Sequence, residues 1–354
     1  MTNRLKNFLV QLREEKLDGF IVSSEANISY LSGFKSCDAY LLVTHKDVIY
    51  FTDSRYIEEA RGRLKGTGIT LKKINGFTFK LIADSCLELG LKRVGFEGRV
   101  LPYAEYQKIK QYLKRKVELI SKHSLVEGLR QIKEPGEIAN IKKAIQITSL
   151  AFKFIKKILK PGVKELELAA ELERIIRYHG ASGSAFDVIV ASGPHSSFPH
   201  HAPTNRKIKA DQPVLIDIGA EYKGYKSDLT RVFFLGKINT LGRRIYGIVQ
   251  EAQEKAFEKI KPGIEIAEID AASRGYIAKK GYSEFFGHNL GHGIGLEIHE
   301  SPSISPKNNE TLKPGMVFTV EPAIYLPGKF GIRLEDIALI TKDNCEVLSG
   351  TVNK

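Results

Sequence analysis

Residues 214–234, VLIDIGAEYKGYKSDLTRVFF, and residues 317–340, VFTVEPAIYLPGKFGIRLEDIALI, decide the fold of this chain. Each stretch is predicted to form two strands around a turn that contains glycine. One pair of acids in each stretch lies at matching positions on either side of the turn: Asp217 and Asp228 in the first, and Glu321 and Glu335 in the second. The chain therefore places four carboxylates on strands that are predicted to be buried.

A faint internal repeat precedes these two stretches. Residues 156–170, KKILKPGVKELELAA, are echoed by residues 258–272, EKIKPGIEIAEIDAA, and both segments are predicted as helix, Pro-Gly and helix. A two-strand stretch follows each copy after a similar interval. Agreement in order, spacing and acid content favours duplication, so we expect a pseudo-twofold α/β domain with a site at its centre.

The first third of the chain has a different character. Residues 4–120 alternate helical patterns with short apolar strands such as DGFIVSS, residues 18–24, and carry no chemical motif. A long helical region follows, which is predicted to be broken at Pro135. We therefore predict an α/β (α+β) protein with a non-catalytic α/β domain over 1–125 and a catalytic domain over 126–354.

Composition excludes several classes of function. The formal charge of +13 is spread along the chain without a basic tract, so nucleic-acid binding is disfavoured. The three cysteines lack the spacing of a disulfide framework or a thiolate zinc site. Since no segment approaches 18 uninterrupted apolar residues, we expect no membrane partner and a reducing cytoplasmic location.

The first acid pair points to a bound cation. Asp217 and Asp228 lie almost symmetrically about the Tyr222–Gly224 turn, so they are expected to oppose each other with Cβ atoms ~5 Å apart. Two buried aspartates repel each other unless a cation lies between them. The alternative is that either acid is a surface residue or pairs with Arg231.

The second acid pair repeats this pattern. Glu321 and Glu335 are centred near Gly328, and four inward carboxylates need more positive charge than one arginine supplies. Two divalent ions ~3.5 to 4 Å apart, bridged by carboxylates, would supply that charge and form a hydrolytic site. The sequence therefore predicts a dinuclear metal centre.

Glycine-flanked histidines are the candidates for a nitrogen ligand. Residues 287–300, GHNLGHGIGLEIHE, contain His288, His292 and His299, and their spacing differs from the HExxH zinc helix. Oxygen ligands with one imidazole favour manganese, cobalt, iron or zinc over copper. Manganese or cobalt is our leading expectation, with zinc or iron as alternatives.

These motifs, in this order, resemble the creatinase and aminopeptidase family with the pita-bread fold, over essentially the whole chain. The closest resemblance is to its Xaa-Pro peptidases, aminopeptidase P and prolidase. The resemblance implies that two carboxylates bridge both metals, that one aspartate completes the first metal, and that a histidine and a glutamate complete the second. In that order, the implied ligands are Asp228 and Glu335, Asp217, and His292 and Glu321.

The same resemblance implies the residues around the metals. His200, His288 and His299 would line the substrate pocket, with His201 able to exchange roles with His200. Tyr325 and Arg333 would support the ligands and the substrate. The implied catalytic residues are Glu321 as the proton acceptor and donor, His299 as the donor to the oxyanion, and His200 in recognition of proline.

The expected reaction is hydrolysis of the bond between an N-terminal residue and proline in short peptides. A dipeptidase needs a cation for the proline carboxylate, and Ser303 stands near the place where many prolidases carry arginine. We therefore expect an Xaa-Pro aminopeptidase, although Lys307 or Arg206 could supply the cation for a prolidase. A non-catalytic peptide-binding protein is the more remote alternative, and the resemblance also implies a homodimer.

Overall fold

Two compact units, Met1–Arg130 and Gln131–Lys354, make up the computed structural model, which describes residues 2–35 and 37–350. The first unit contains a six-stranded sheet in the order β4-β3-β2-β1-β5-β6. Its helices are α1 (Asn3–Glu14), α2 (Glu25–Ser32), α3 (Ile57–Arg63), α4 (Thr78–Glu88), α5 (Tyr103–Leu113) and α6 (Leu125–Arg130). Its strands are β1 (Gly19–Val22), β2 (Ala39–Thr44), β3 (Val48–Thr52), β4 (Thr70–Lys73), β5 (Arg93–Glu97) and β6 (Glu118–Lys122).

This first sheet is mixed, with β2 antiparallel to both β1 and β3 and with the other neighbours parallel. The predicted strand at residues 18–24 forms β1, and all four of its residues are buried. The β4 strand was not predicted, because its sequence TLKK is polar and its burial pattern is partly exposed. An edge strand of this kind lacks the apolar run on which the other strands were recognised.

The second unit consists of two halves with matching elements. In the first half, the helices are α7 (Pro135–Ile158) and α8 (Glu165–Tyr178), and the strands are β7 (Gly183–Ser184), β8 (Ile189–Ser192), β9 (Pro213–Ile218), β10 (Ala220–Tyr222), β11 (Tyr225–Lys226) and β12 (Leu229–Phe234). In the second half, the helices are α9 (Thr240–Lys259) and α10 (Ile266–Lys279), and the strands are β13 (Gly291–Gly293), β14 (Glu300–Ile304), β15 (Val317–Val320), β16 (Ala323–Leu326), β17 (Phe330–Arg333), β18 (Asp336–Ile340) and β19 (Cys345–Val347).

Backbone hydrogen bonds at the two Pro-Gly turns reproduce the internal repeat. The N–H of Gly162 donates to the carbonyl of Ile208 at 2.9 Å, and the N–H of Gly263 donates to the carbonyl of Leu312 at 2.8 Å. Both glycines have positive φ, at 96° and 83°, which glycine adopts at little cost. The two turns are therefore equivalent, as the predicted duplication requires.

The helical region is interrupted at Pro135, as predicted, because α6 ends at Arg130 and a separate helix begins at Pro135. Pro135 is the first residue of α7, where a proline loses no intrahelical hydrogen bond and its fixed φ suits the helix start. The side chain of Glu137 accepts a hydrogen bond from the backbone N–H of Glu134 at 2.9 Å and completes a cap there. The proline inside the predicted helical region thus marks the beginning of a new helix.

Two sheets frame the centre of the second unit, in the orders β12-β9-β8 and β14-β13-β15-β18-β19. Helices α9 and α10 pack beside the second of them around an apolar cluster that includes Ile245, Ile269 and Phe318. Within the described part of the chain, none of the helices combines the length and apolarity needed to cross a bilayer. Of the three free cysteines, Cys86 is buried, Cys345 is partly buried and Cys37 is exposed.

Candidate metal centre

The first acid pair lies diagonally across its strands, not directly opposed as predicted. Asp217 in β9 is the register partner of Thr230, and Asp228 lies two residues before Thr230. The turn is centred between Lys223 and Gly224, both with positive φ, one residue later than the centre that would place Asp228 directly opposite Asp217. Residues two apart point to the same face, so both aspartates still reach one side of the sheet.

The register of the second acid pair agrees with the predicted symmetry about Gly328. Val320 pairs with Asp336 on one side of the two glutamates, and Ala323 pairs with Arg333 on the other. The same register on both sides places Glu321 and Glu335 at opposite positions. Their own backbone N–H groups donate elsewhere, to the carbonyls of Leu290 and Thr230, so the ladder opens where the two carboxylates lie.

The structure brings the four acids and one histidine into a single cluster. The Nε2 atom of His292 lies 3.5 Å from Oδ2 of Asp228 and 3.4 Å from Oε1 of Glu321. Ligand atoms of Asp228, His292 and Glu335 all lie within 4.8 Å of one another. Asp217, Asp228 and Glu335 are buried, at 7%, 5% and 1% exposure. Such spacing is small enough for the side chains to share metal ions.

Arg333 holds one edge of this cluster. Its guanidinium donates to Oδ2 of Asp217 at 2.5 Å, to the hydroxyl of Tyr325 at 2.6 Å and to the hydroxyl of Thr230 at 3.0 Å. The Thr230 hydroxyl in turn donates to Oε2 of Glu335 at 2.7 Å. Arg231 does not pair with either aspartate of the first pair, since its guanidinium contacts Asp336 at 2.7 Å. Arg333 therefore contacts the cluster directly at Asp217 and through Thr230 at Glu335.

The charge of the cluster is visible in the pKa values of its acids. Burial raises the pKa of Asp228 well above its ordinary value, and repulsion from Asp217 and Glu321 raises it further. Burial and the neighbouring carboxylates likewise raise the pKa of Glu335. Burial also raises the pKa of Glu321, although His292 and Arg333 oppose this shift. The ionised form of these carboxylates is therefore unfavourable unless additional positive charge is bound beside them.

These side chains fit a pair of hard divalent ions. Oδ1 of Asp217 and Oδ1 of Asp228 are buried without a hydrogen-bond donor among the described residues. Buried carboxylate oxygens without a partner are costly, and coordination of a cation satisfies them. Carboxylate oxygens with one imidazole are a suitable donor set for manganese, cobalt, iron or zinc. The cluster therefore has the ligand atoms of a metal centre, together with an excess of negative charge that bound cations would neutralise.

Three further predicted site residues surround this cluster. The ring of His299 packs edge-on against that of His292 at 4.4 Å, and Nε2 of His288 lies 3.3 Å from the hydroxyl of Tyr325. His200 is close enough to affect the pKa values of both His288 and His299. Burial lowers the pKa of His288 to about 4 and also lowers that of His299, so both rings are neutral at pH 7.

His201, which was expected to be able to exchange roles with His200, contacts a carboxylate outside this group. Its Nε2 atom lies 3.1 Å from Oε2 of Glu165, and Nδ1 of His195 lies 3.0 Å from Oε1 of the same carboxylate. Sequence analysis did not identify Glu165 or His195. Three histidines within residues 195–201 were a visible signal, but the common partner of His195 and His201 lies 30 and 36 residues earlier, at the start of α8.

Removing one negative charge should stabilise the protein when it is stripped of metal. We expect Glu335→Gln to raise the free energy of unfolding of the metal-free protein on the order of 1 kcal/mol, the size of one pKa unit of charge interaction. Glu335 is buried beside three other acids, so the neutral amide relieves repulsion. Urea denaturation in the presence of a chelator measures the change.

Asp336→Asn is the matched control for this prediction. Asp336 is also buried, but it accepts from Arg231 at 2.7 Å and from the Ser349 hydroxyl at 2.7 Å. Loss of a paired buried charge is destabilising. The two variants should therefore change stability in opposite directions, and destabilisation by both would contradict the proposed repulsion.

Comparison with known proteins is consistent with this geometry. Residues 139–342 match "Metallopeptidase family M24", and residues 4–132 match "Creatinase/Prolidase N-terminal domain". An "Xaa-Pro dipeptidase" of Pyrococcus horikoshii is 35% identical, covering 99% of this chain and 98% of the relative. The solved structure "Xaa-Pro dipeptidase from Bacillus anthracis" has a TM-score of 0.94 at 38% identity, covering 99% of this chain and 98% of the other.

A second solved structure has a different stated activity. The "X-Pro aminopeptidase from Thermotoga maritima" superposes with a TM-score of 0.91 at 35% identity, covering 98% of this chain and 97% of the other. These similarities confirm the predicted fold class, with a creatinase-like N-terminal domain followed by a pita-bread domain. They also confirm the predicted resemblance and the expectation of a hydrolytic enzyme.

Proposed function

The chain belongs to metallopeptidase family M24, and from this premise we propose that it is an Xaa-Pro dipeptidase that uses two divalent ions. The observation that carries this proposal is the largely buried cluster of four carboxylates and one imidazole, in which Arg333 is paired with Asp217 and the remaining carboxylates call for further positive charge. We assign the metal ligands to Asp217, Asp228, His292, Glu321 and Glu335.

Two bound divalent ions would supply Lewis acidity, which polarises a carbonyl and lowers the pKa of water toward neutrality. The residues of the chain then orient the peptide and move protons. Glu321 is the proton acceptor from water and the later donor to the leaving proline nitrogen. Its Oε1 atom accepts from the Thr319 hydroxyl at 3.2 Å, which orients the carboxylate.

Neutral histidines surround the position of the scissile bond. His299 donates an N–H to the oxygen that becomes negative, because its ring lies beside His292 and its lowered pKa keeps it neutral. The free α-amine of the substrate lies near Asp217. Since proline has no backbone N–H to donate, its ring is recognised by shape, and the exposed Phe198 and His200 are the surfaces for it.

We propose a dipeptidase in place of the aminopeptidase that was expected from the sequence. The Pyrococcus horikoshii and Bacillus anthracis proteins named as Xaa-Pro dipeptidases cover nearly the whole of both chains. Ser303, the register partner of His292, offers a hydroxyl and no charge at the place where an arginine was sought. We therefore assign recognition of the proline carboxylate to His200, which is exposed and faces His288 and His299.

An Xaa-Pro aminopeptidase is the second candidate. Ser303 supplies no cation for the proline carboxylate, and the side chain of Arg206 is hydrogen-bonded to another residue. The Nε atom of Arg206 donates to the hydroxyl of Ser192 at 3.2 Å. The similarity to the Thermotoga maritima protein is consistent with this alternative. Manganese or cobalt is proposed as the metal, short peptides with proline in second position as the substrates, and a homodimer as the assembly.

Substrate length separates the two candidates. We expect the metal-stripped protein, reloaded with manganese or cobalt, to cleave Ala-Pro with kcat/KM at least about tenfold above that for Ala-Pro-Ala, because a lost charged contact costs at least about 1.4 kcal/mol. Ala-Pro amide, which lacks only the terminal charge, is the matched substrate. A chromatographic assay of released alanine measures all three rates.

Each alternative outcome has a defined meaning. Preference for Ala-Pro-Ala, with equal cleavage of Ala-Pro and its amide, would assign the protein as an aminopeptidase. Cleavage of Ala-Ala at the same rate as Ala-Pro would contradict recognition of proline. Failure of the fully metal-loaded protein to cleave any of these peptides would overturn the proline-peptidase proposal and favour a peptide-binding role.

A further inference from the structure

A second group of metal-type donors lies outside the cluster of four carboxylates. Glu165 is the first residue of α8 and its side chain is fully buried. His195 lies in the short 3₁₀ helix Gly193–Ser197, and His201 follows it along the chain. One donor atom from each of these three side chains lies within 4.8 Å of the other two. This set of two imidazoles and one carboxylate shares no residue with the first cluster.

The separations between these donors are close to those around a small metal ion. His195 Nδ1 lies 3.0 Å from Oε1 of Glu165, and His201 Nε2 lies 3.1 Å from Oε2. A tetrahedral zinc ion with bonds of ~2.0 to 2.1 Å separates its ligands by ~3.3 Å. The three donor atoms lie within 4.8 Å of one another, so reorientation of the two imidazoles would convert the two hydrogen bonds into two nitrogen ligands and one carboxylate ligand.

Other residues already hold the carboxylate in place. The hydroxyl of Ser192 donates to Oε1 of Glu165 at 2.7 Å, and the hydroxyl of Thr204 donates to Oε2 at 2.8 Å. Partners of this kind orient metal-binding carboxylates in known sites. An ion would replace only the protons that the two histidines share with Glu165, and the bonds from Ser192 and Thr204 would persist.

The second half of the internal repeat has no carboxylate at the position that matches Glu165. The N–H of Glu165 donates to the carbonyl of Arg206 at 3.1 Å, and the N–H of Ile266 donates to the carbonyl of Glu310 at 2.9 Å. Ile266 therefore occupies the matching position at the start of α10, and it is fully buried. An apolar residue occupies the first position of the helix in the second half. The carboxylate of Glu165 therefore has a role that is specific to the first half.

Solvent reaches this group on the side of His195. The side chain of His195 is 26% exposed, whereas those of His201 and Glu165 are 9% and 0% exposed. Two histidines and one glutamate with a fourth position open to water form a donor set that zinc uses in enzymes. The open side also provides a route by which the ion could enter and leave.

We propose that Glu165, His195 and His201 form a separate zinc-binding site that fastens the segment Gly193–Thr204 to the start of α8. The same segment carries His200, and the carbonyl of Pro199 accepts from Arg333 at 3.2 Å. The proposed zinc site therefore anchors the segment Gly193–Thr204 to α8. Within the same segment, Pro199 contacts Arg333, which pairs with Asp217. Zinc bound there would limit movement of His200.

Zinc content tests the proposal directly. The His195→Asn/His201→Gln double variant keeps a side-chain N–H near each nitrogen position but removes both imidazole ligands. After stripping and reloading with zinc, we expect the full chain to retain one zinc ion more per chain than this variant, measured by elemental analysis after gel filtration. The same difference should appear when both proteins also carry Asp228→Ala. Equal zinc contents in both comparisons would overturn the proposal.

A second measurement uses the unmodified protein and does not depend on folding of a variant. Zinc should lower carbethoxylation of His195, the more exposed of the two histidines, by diethyl pyrocarbonate at least about tenfold, measured by peptide mass spectrometry, since a coordinated imidazole has no free lone pair to react. His179, which is exposed at the end of α8, is the internal reference. Equal labelling with and without zinc would contradict the site, and neither measurement depends on peptidase activity.

Discussion

Replacing Asp228 with alanine should lower kcat for Ala-Pro on the order of 10³-fold. Asp228 is proposed to bridge both ions, and the Lewis-acid contribution to the transition state is several kcal/mol. Its side chain is 5% exposed and lies 3.5 Å from Nε2 of His292, so no other carboxylate can occupy the same position without moving the strands. A kinetic assay at saturating metal measures the loss of kcat, and elemental analysis measures the loss of bound metal.

Asp343→Ala is the control for this experiment. Asp343 is an exposed acid in the turn before β19, and its removal changes the net charge by the same amount. We expect this variant to keep the metal content and kcat of the unmodified protein. Near-normal activity of Asp228→Ala with two ions still bound would contradict the assignment of Asp228 as a bridging ligand.

Much of the candidate site was predictable because its residues follow strand periodicity. The turn near Gly328 predicted the register of Glu321 and Glu335, and the flanking ladders agree with it. The diagonal offset of Asp217 and Asp228 was not predictable with the same accuracy. The observed turn centre, between Lys223 and Gly224, lies one residue later than the centre that would place Asp228 opposite Asp217, and this moves the register partner of Asp217 by two positions, to Thr230.

Contacts between distant segments were the part that the sequence could not predict. The pairing of Arg333 with Asp217 joins residues 116 positions apart, and the alternative partner Arg231 is nearer in sequence. The polar strand β4 and the cluster of Glu165 with His195 and His201 were missed for the same reason. Their positions depend on neighbours that tertiary structure brings together, and no local periodicity records them.

The role of Glu321 in proton transfer predicts a loss of rate that exceeds any loss of metal. We expect Glu321→Gln to lower kcat by about 10² to 10⁴-fold, because positioned proton transfer contributes that amount. Glutamine keeps an oxygen that can bind the metal and accept from the Thr319 hydroxyl, which donates at 3.2 Å in the native site. Elemental analysis should therefore find both ions, and KM for Ala-Pro should change little.

The pH profile of the remaining activity separates proton transfer from metal binding. If Glu321 accepts the proton, the acidic limb of the native log kcat profile should flatten in Glu321→Gln, because the amide does not titrate. Glu310→Gln, at an exposed glutamate, is the control and should keep the native profile. A kcat reduced less than about tenfold with the acidic limb intact would assign proton transfer to another residue. Loss of one ion in Glu321→Gln would instead show that the carboxylate charge is needed to hold the metal beside His292, whose Nε2 lies 3.4 Å from Oε1 of Glu321.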